Sequence, residues 1–130
     1  MSDTDPRETD YHPRLRTTLC GHEEVEHRLL VAYRSGRMHH AWLLTGPKGI
    51  GKATLAYRLA RYILRYPDHT SAPEDMAVAP EHAVFRRVAA RGHADLLTIE
   101  RPFDEKLKRL KGEIGVTEAR AVSQFFSRTA

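Results

Sequence analysis

The chain has 130 residues, 41% hydrophobic and 29% charged, with a formal net charge of +4 and one cysteine. That length bounds it to one domain at most, since domains average ~100–200 residues, and the balance suits a globular fold with a modest core. The single Cys20 excludes an internal disulfide and fits a reducing compartment; the small basic excess is compatible with phosphate-bearing partners and equally with a solvated surface.

Residues 1–12 are polar and largely acidic, offer no apolar core for a signal peptide, and read as a disordered lead-in. No apolar run approaches the ~20 residues that cross a bilayer, so the expectation is a cytoplasmic chain without a membrane partner. From Gly21 the pattern turns helical. Val25, Leu29 and Ala32 with Tyr33 form an apolar stripe, Glu24 and Arg28 sit four apart with the acid first, and Ser35-Gly36 supplies a stop.

Next comes "HAWLLT" (His40 to Thr45), apolar on consecutive positions, which suits a strand covered on both faces. A glycine-rich loop follows and opens another helix. Its expected buried face is Leu55, Leu59, Tyr62 with Ile63, and Tyr66; its expected wet face is Arg58, Arg61 and Arg65; Pro67 ends it. Residues 68–80 read as a loop, 81–90 as a short helix, and "DLLTIE" (Asp95 to Glu100) as a second strand. The basic stretch after it, with Arg101, Lys106, Lys108, Arg109 and Lys111, reads as an exposed loop. Thr117 is placed to cap a last helix whose apolar positions are Val122, Phe125 and Phe126. Helix, strand, loop, helix, strand, helix is the beginning of an α/β parallel sheet.

The loop meets G-x-x-x-x-G-K through Gly46, Pro47, Lys48, Gly49, Ile50, Gly51 and Lys52. Its glycines let the backbone pass through positive φ so that consecutive N–H groups can face phosphate oxygens. The helix that follows directs its positive end at the same place, and Lys52 can reach the β- and γ-phosphates. The predicted strand before the loop and helix after it give the motif its required context. Ala53, however, stands where a Ser or Thr hydroxyl ordinarily ligates the Mg²⁺ between those phosphates. Thr54 is one residue on, a rotation of roughly 100°, and is expected to face elsewhere. Glu100 ends the second strand and is weighed as a metal-side acid against a plain surface carboxylate; the latter is preferred, because its strand contains Thr98 and leads into a basic loop. Nucleotide binding with little or no hydrolysis is the expectation.

Around this loop, "HPR" (His12 to Arg14), "LCGH" (Leu19 to His22), "SGRMHHAWLLTGPKGIGKATLAYRLAR" and "DLLTIERPFDEKLKRLKGEIGV" resemble the delta-prime subunits of bacterial DNA polymerase III, in the clamp-loader branch of the AAA+ ATPases. The resemblance runs from about His12 to the C-terminus. It implies a P-loop NTPase domain with a three-layer α/β/α parallel sheet, of which residues 13–130 are the N-terminal part. It also implies a hetero-oligomeric ring of clamp-loader subunits that places a sliding clamp on primed DNA, with this subunit largely non-hydrolysing. By the same resemblance Pro13, Arg14, Leu19 and Gly21 are adenine-side candidates beside the Gly46–Thr54 loop. ATP is then the candidate cofactor, with Mg²⁺ not held by the loop. Many relatives carry four cysteines in a zinc module where this chain has none between Pro67 and His93, so no zinc is expected. The acidic metal strand, the Ser-Arg-Cys finger motif and the lid and collar domains are expected after Ala130.

Other features have plainer readings. The eight histidines lack metal-site spacing: His22 and His27 are five apart, and His39 and His40 would point to opposite sides of a strand, entering it with bonds to backbone. The arginines of the phosphate-loop helix and the "KLKRLK" run could face DNA, but a solvated face is the preferred reading. Cys20 reads as a small buried residue. Two alternatives to a clamp-loader subunit stay open: a self-sufficient ATPase or nucleotide kinase that tolerates alanine at the metal position, and a DNA-binding domain that uses the loop for backbone phosphate.

Overall fold

The computed structural model describes residues 5, 9, 11–101, 103–104, 106, 109–110, 112 and 116–129. The chain forms two compact units, one of Pro13–Gly92 and one of Met1–His12 with His93–Ala130. The expected lead-in falls mostly on residues 1–4, 6–8 and 10, which lie outside the described residues.

The Pro13–Gly92 unit begins with a 3₁₀ turn, Pro13–Leu15, and contains helices α1 (Glu23–Arg34), α2 (Lys52–Arg65) and α3 (Ala83–Ala89). Helix α1 starts with Glu23, Glu24 and Glu26 in its first turn and ends with Arg34, charges that complement the helix dipole. It stops where Gly36 takes φ 74°. The Gly36 N–H donates to the Tyr33 carbonyl and the Arg37 N–H to the Ala32 carbonyl, each at 3.1 Å, so two terminal carbonyls are satisfied by a left-handed glycine cap. Helix α2 ends at Tyr66, whose N–H closes on the Tyr62 carbonyl, and Pro67 follows. In α3 the His82 Nδ1 accepts the Val84 N–H at 3.1 Å and caps the helix.

The core joins α1 and α2 through Leu29, Leu30, Leu55 and Tyr62, and the 68–80 segment closes it by inserting Ala72 and Met76. Each leucine or methionine side chain so removed from water contributes about 1.5–3 kcal/mol. Two tyrosines fasten the same region at their polar ends: Tyr62 donates to the Pro73 carbonyl and Tyr33 to the Tyr66 carbonyl, both at 2.5 Å. Thus the segment that reads as loop is irregular in backbone but contributes core.

Several expectations are corrected. Arg58 and Arg61 are buried, at 9% and 2% exposure, because carbonyls from the 14–17 segment and a carboxylate of α1 satisfy their guanidinium groups; only Arg65 faces solvent. Cys20 is exposed, because the apolar side chain turned inward there is its neighbour Leu19, packed on the core. Val25 lies at the exposed edge of the α1 stripe while Leu29 fills the core. Apart from these corrections, segments 40–45 and 95–100 carry no strand ladder, so the described residues do not show the expected sheet. A strand exists only through bonds to a partner strand. Without one, Leu43 is 86% exposed and His39 meets Trp42 edge-on at 5.4 Å instead of bonding to backbone.

In the other unit, the expected loop contains a short antiparallel pairing. Strands β1 (Phe103–Asp104) and β2 (Arg109–Leu110) match Phe103 with Leu110 and Asp104 with Arg109. Lys108 and Lys111 lie outside the described residues. Helix α4 spans Val116–Thr129, so Thr117 falls inside its first turn and not at the cap; Phe126 is 64% exposed, while Val122 and Phe125 are half-buried.

Candidate functional site

The glycine loop is built as its sequence requires. Gly46, Gly49 and Gly51 hold φ of 153°, 83° and 102°, backbone that side chains with a Cβ rarely adopt. The Ile50 N–H returns to the Pro47 carbonyl at 3.4 Å and tightens the bend. Gly51 is the left-handed N-cap of α2, and Lys52 is its first helical residue. The Leu55 N–H bonds to the Gly51 carbonyl at 2.9 Å, so the helix starts at once. The N–H groups of the first helical turn have no intrahelical acceptor and carry the positive end of the dipole. Lys52 folds back over the loop and its Nζ donates to the Gly46 carbonyl at 2.5 Å. A cation, a run of turned peptides and a helix N-terminus therefore share one place.

Beside the loop lies a cavity of about 350 Å³ whose walls come from α1, from residues 42–45 and from the loop and the start of α2. That volume falls at the lower end of ligand pockets, roughly 300–1,000 Å³. Its apolar lining includes Leu29, Trp42 and Leu55, and its polar lining includes His22, Arg28 and Lys52.

The structure brings some of the sequence candidates together and separates others. Gly46 to Ile50 and Ala53 are exposed, while Gly51, Lys52 and Thr54 are half-buried. Leu19 reaches the loop: a Cβ on Gly51 would stand 2.8 Å from Leu19 Cδ1. Gly21, with φ 85°, turns the chain into α1, and its N–H bonds to Glu23 Oε1. The backbone N–H of Glu23 first, and this Gly21 bond second, hold the Glu23 carboxyl below its usual value. Pro13 and Arg14 belong to the 3₁₀ turn, and the buried Arg14 donates through Nε to the Ala89 carbonyl at 2.8 Å. Glu100 belongs to the other unit, where His12 Nε2 lies 3.2 Å from its Oε2.

Two residues that sequence reasoning left on a wet face prove structural. Arg61 donates to the carbonyls of Arg14 (3.0 Å) and Arg16 (2.8 Å) and lies over Phe85 at 4.4 Å. Burial first, and the neighbouring Arg58 second, bring its pKa down to about 10. Arg58 pairs with Glu26 at 2.6 Å and donates to the Thr17 carbonyl at 3.0 Å. The two arginines thereby hold residues 14–17, the approach to Leu19 and Gly21, along α2. A third residue, His22, was set aside as a non-ligand, yet its Nε2 lies 2.6 Å from the Ile50 carbonyl of the loop.

The residues present fit the phosphates of a nucleotide: glycine-only backbone, Lys52 and a helix N-terminus converge beside a cavity of ligand size. They do not fit a loop-held Mg²⁺, since Ala53 has no oxygen to offer. Among the described residues no three His, Cys, Asp or Glu side chains come together as a metal site, and no helix is long and apolar enough to cross a membrane.

Comparison with known proteins adds an independent line. The family model described as DNA polymerase III, delta subunit, matches residues 21–130. Over 51 residues the chain is 37% identical to a DNA polymerase III subunit gamma of Buchnera aphidicola, a stretch covering 39% of this chain and 14% of that protein. Over a stretch of the same length it is 43% identical to a DNA polymerase III subunit gamma/tau of Mycobacterium tuberculosis, covering 39% of this chain and 9% of the relative. It is 39% identical over 51 residues to a replication factor C small subunit of Methanocella arvoryzae, covering 39% and 16%. The matches thus span less than a fifth of these relatives' length. No solved structure matches the chain.

Proposed function

We propose that this chain, which belongs to the clamp-loader AAA+ family described as DNA polymerase III, delta subunit, is a delta-prime-type subunit that binds adenine nucleotide with little or no hydrolysis of its own. In that reading it acts in replication as one member of a hetero-oligomeric ring that loads a sliding clamp on primed DNA. Relatives named as DNA polymerase III gamma subunits and as a replication factor C small subunit support the clamp-loading assignment. The observation that carries the nucleotide part is the loop itself: Lys52 closes over a Gly46–Gly51 bend that only glycine can hold, with Ala53 at the metal position.

The roles divide among the chain's own groups. First-turn N–H groups of α2 and Lys52 Nζ donate to phosphate oxygens, Lys52 exchanging its bond to the neutral Gly46 carbonyl for a stronger one to an anionic oxygen. Leu19 and the cavity walls shield the base and ribose side from water. A bound ATP supplies charge and shape that order the subunit, while hydrolysis belongs to neighbouring subunits. The finer fold proposal follows from the same family. The family's three-layer α/β/α parallel sheet gives His40–Thr45 the role of a covered strand, which accounts for large apolar residues such as Trp42 and Leu43 on an exposed segment.

The test is ATP binding and turnover by the protein, with and without Mg²⁺. Millimolar or tighter binding, weakened about 10–100-fold by Lys52→Ala, with negligible turnover, is the expected result. No binding at millimolar ATP reduces the loop to scaffold. Brisk turnover favours an independent ATPase or kinase, and DNA affinity that is salt-steep and indifferent to ATP favours a DNA-binding domain.

A further inference from the structure

We infer that His22 is a positioning residue of the phosphate loop: its ring N–H holds the Ile50 carbonyl and so sets the direction of the Ile50–Gly51 peptide. The inference deepens the nucleotide reading above and rests on it only for its second readout. A carbonyl oxygen can only accept, so the 2.6 Å approach of His22 Nε2 to the Ile50 oxygen requires a proton on Nε2. The bond joins the residue before α1 to a loop 28 positions later.

The peptide after Ile50 is planar and trans, as are all those described. With its carbonyl drawn toward His22, its N–H, which belongs to Gly51, must project to the opposite side. At Gly51 the chain changes from a bend with φ 102° to the helix that begins at Lys52. Rotation of this peptide would therefore swing the Gly51 N–H and redirect the entry of Lys52. The imidazole is also in place sterically, since a Cβ on Gly51 would lie 3.9 Å from His22 Cδ2 and Nε2. His22 and Lys52 line the same cavity.

A role in capping α1 is the competing explanation, because His22 is the N-cap residue of that helix. Its side chain makes no capping bond there, and its φ and ψ of −125° and 28° leave the ring free to turn to the loop. Removing the imidazole should consequently loosen the loop and spare the helix.

The experiment compares His22→Ala and His22→Gln with the unaltered protein. Glutamine offers an amide N–H at similar reach, and alanine offers none. The first readout, without nucleotide, is backbone amide exchange. Residues 46–52 should exchange about 3- to 10-fold faster in the alanine variant, α1 should be unchanged, and glutamine should restore protection, as expected for loss of one hydrogen bond. The second readout is binding of ADP and of adenosine. The alanine variant should weaken ADP by a similar factor and leave adenosine unaffected, because only the phosphates meet the loop. Unchanged exchange in the loop, or faster exchange confined to α1, overturns the inference. Equal weakening of ADP and adenosine overturns it too, since His22 would then act on the base. If the unaltered protein binds no ADP, the nucleotide reading fails while loop exchange still decides the role of His22.

Discussion

Arg61 reaches from the middle of α2 to the Arg16 carbonyl, 2.8 Å from its Nη2. Its other terminal nitrogen serves the Arg14 carbonyl, so one side chain satisfies two peptide groups of a segment with little regular structure of its own. Shortening it in Arg61→Ala leaves both carbonyls short of a donor and uncovers Phe85. A loss of about 2–3 kcal/mol in urea unfolding is expected. The buried cation also has a pH signature. Its folded value of about 10 lies below the ordinary arginine value, so the unfolded chain holds the proton longer. This group's share of the stability therefore rises as pH climbs between those two values, and Arg61→Ala removes that rise.

The ion pairs divide by burial. Arg58–Glu26 closes at 2.6 Å with side chains 10% and 16% exposed, whereas Arg34–Glu74 closes at 3.2 Å with Glu74 84% exposed. Glu26→Ala strands a nearly buried guanidinium and should cost about 3 kcal/mol or more. Glu74→Ala should cost under about 0.5 kcal/mol, and that little should vanish in molar salt. Unfolding midpoints of the two variants check the ordering; equal losses would mean that water reaches Arg58.

Much of the helical frame was legible because it obeys local rules. Val25, Leu29 and Tyr33 marked α1, Gly36 its end, Leu55 and Tyr62 the buried side of α2, and Gly46 to Lys52 the loop. The arginines were misread because charge was equated with solvent. Their spacing carried the correcting signal: steps of three from Leu55 lead to Arg58 and Arg61, which puts them beside the apolar stripe. What they bond to, the carbonyls of residues 14–17, is a long-range fact with no periodic trace. Nor did any pattern mark His22, whose partner is a backbone oxygen. The strand expectation at 40–45 rested on apolarity alone, which says that a segment is to be covered and leaves open by what.

Ala53 is exposed at the second position of α2. Ala53→Thr restores a hydroxyl at the position that ordinarily ligates Mg²⁺. ATP affinity of the unaltered protein should respond little to Mg²⁺, while that of the variant should tighten several-fold. Isothermal titration with and without the metal measures both. A variant as indifferent to Mg²⁺ as its parent would falsify the claim that a missing ligand is what limits this loop.

Asp68, after Pro67, accepts two bonds from Thr70 through Oδ1, from the hydroxyl at 2.6 Å and from the backbone N–H at 3.0 Å. These bonds favour the carboxylate and hold its pKa below the ordinary 3.8. A depressed folded value contributes stability that is present above the unfolded pKa and lost as pH falls through the folded one. Asp68→Asn should therefore be less stable than the parent at neutral pH and converge with it in acid, which flattens the decline of stability below about pH 4. Thermal unfolding at matched ionic strength across pH 2–7 checks the sign; a steeper decline in the variant contradicts it.

The loop glycines provide a graded test of why the bend is glycine at all. Gly49 has φ 83° with nothing within 4 Å of a Cβ, so Gly49→Ala meets only the left-handed backbone cost of about 1–2 kcal/mol. Gly51 has φ 102°, and a Cβ there meets Leu19 Cδ1 at 2.8 Å, a distance at which one of them must move. Leu19 packs against the core, so its displacement adds an overpacking cost of about 1–3 kcal/mol. Gly51→Ala should thus be the more damaging by at least 1 kcal/mol, estimated from that overpacking cost alone. Gly51→Ala with Leu19→Ala should recover the steric part and keep the backbone part. Chemical unfolding of these variants and of Leu19→Ala alone decides the matter: if the loss in the double variant equals the sum of the two single losses, Leu19 does not press on Gly51, and its segment and the glycine loop are not coupled through this contact.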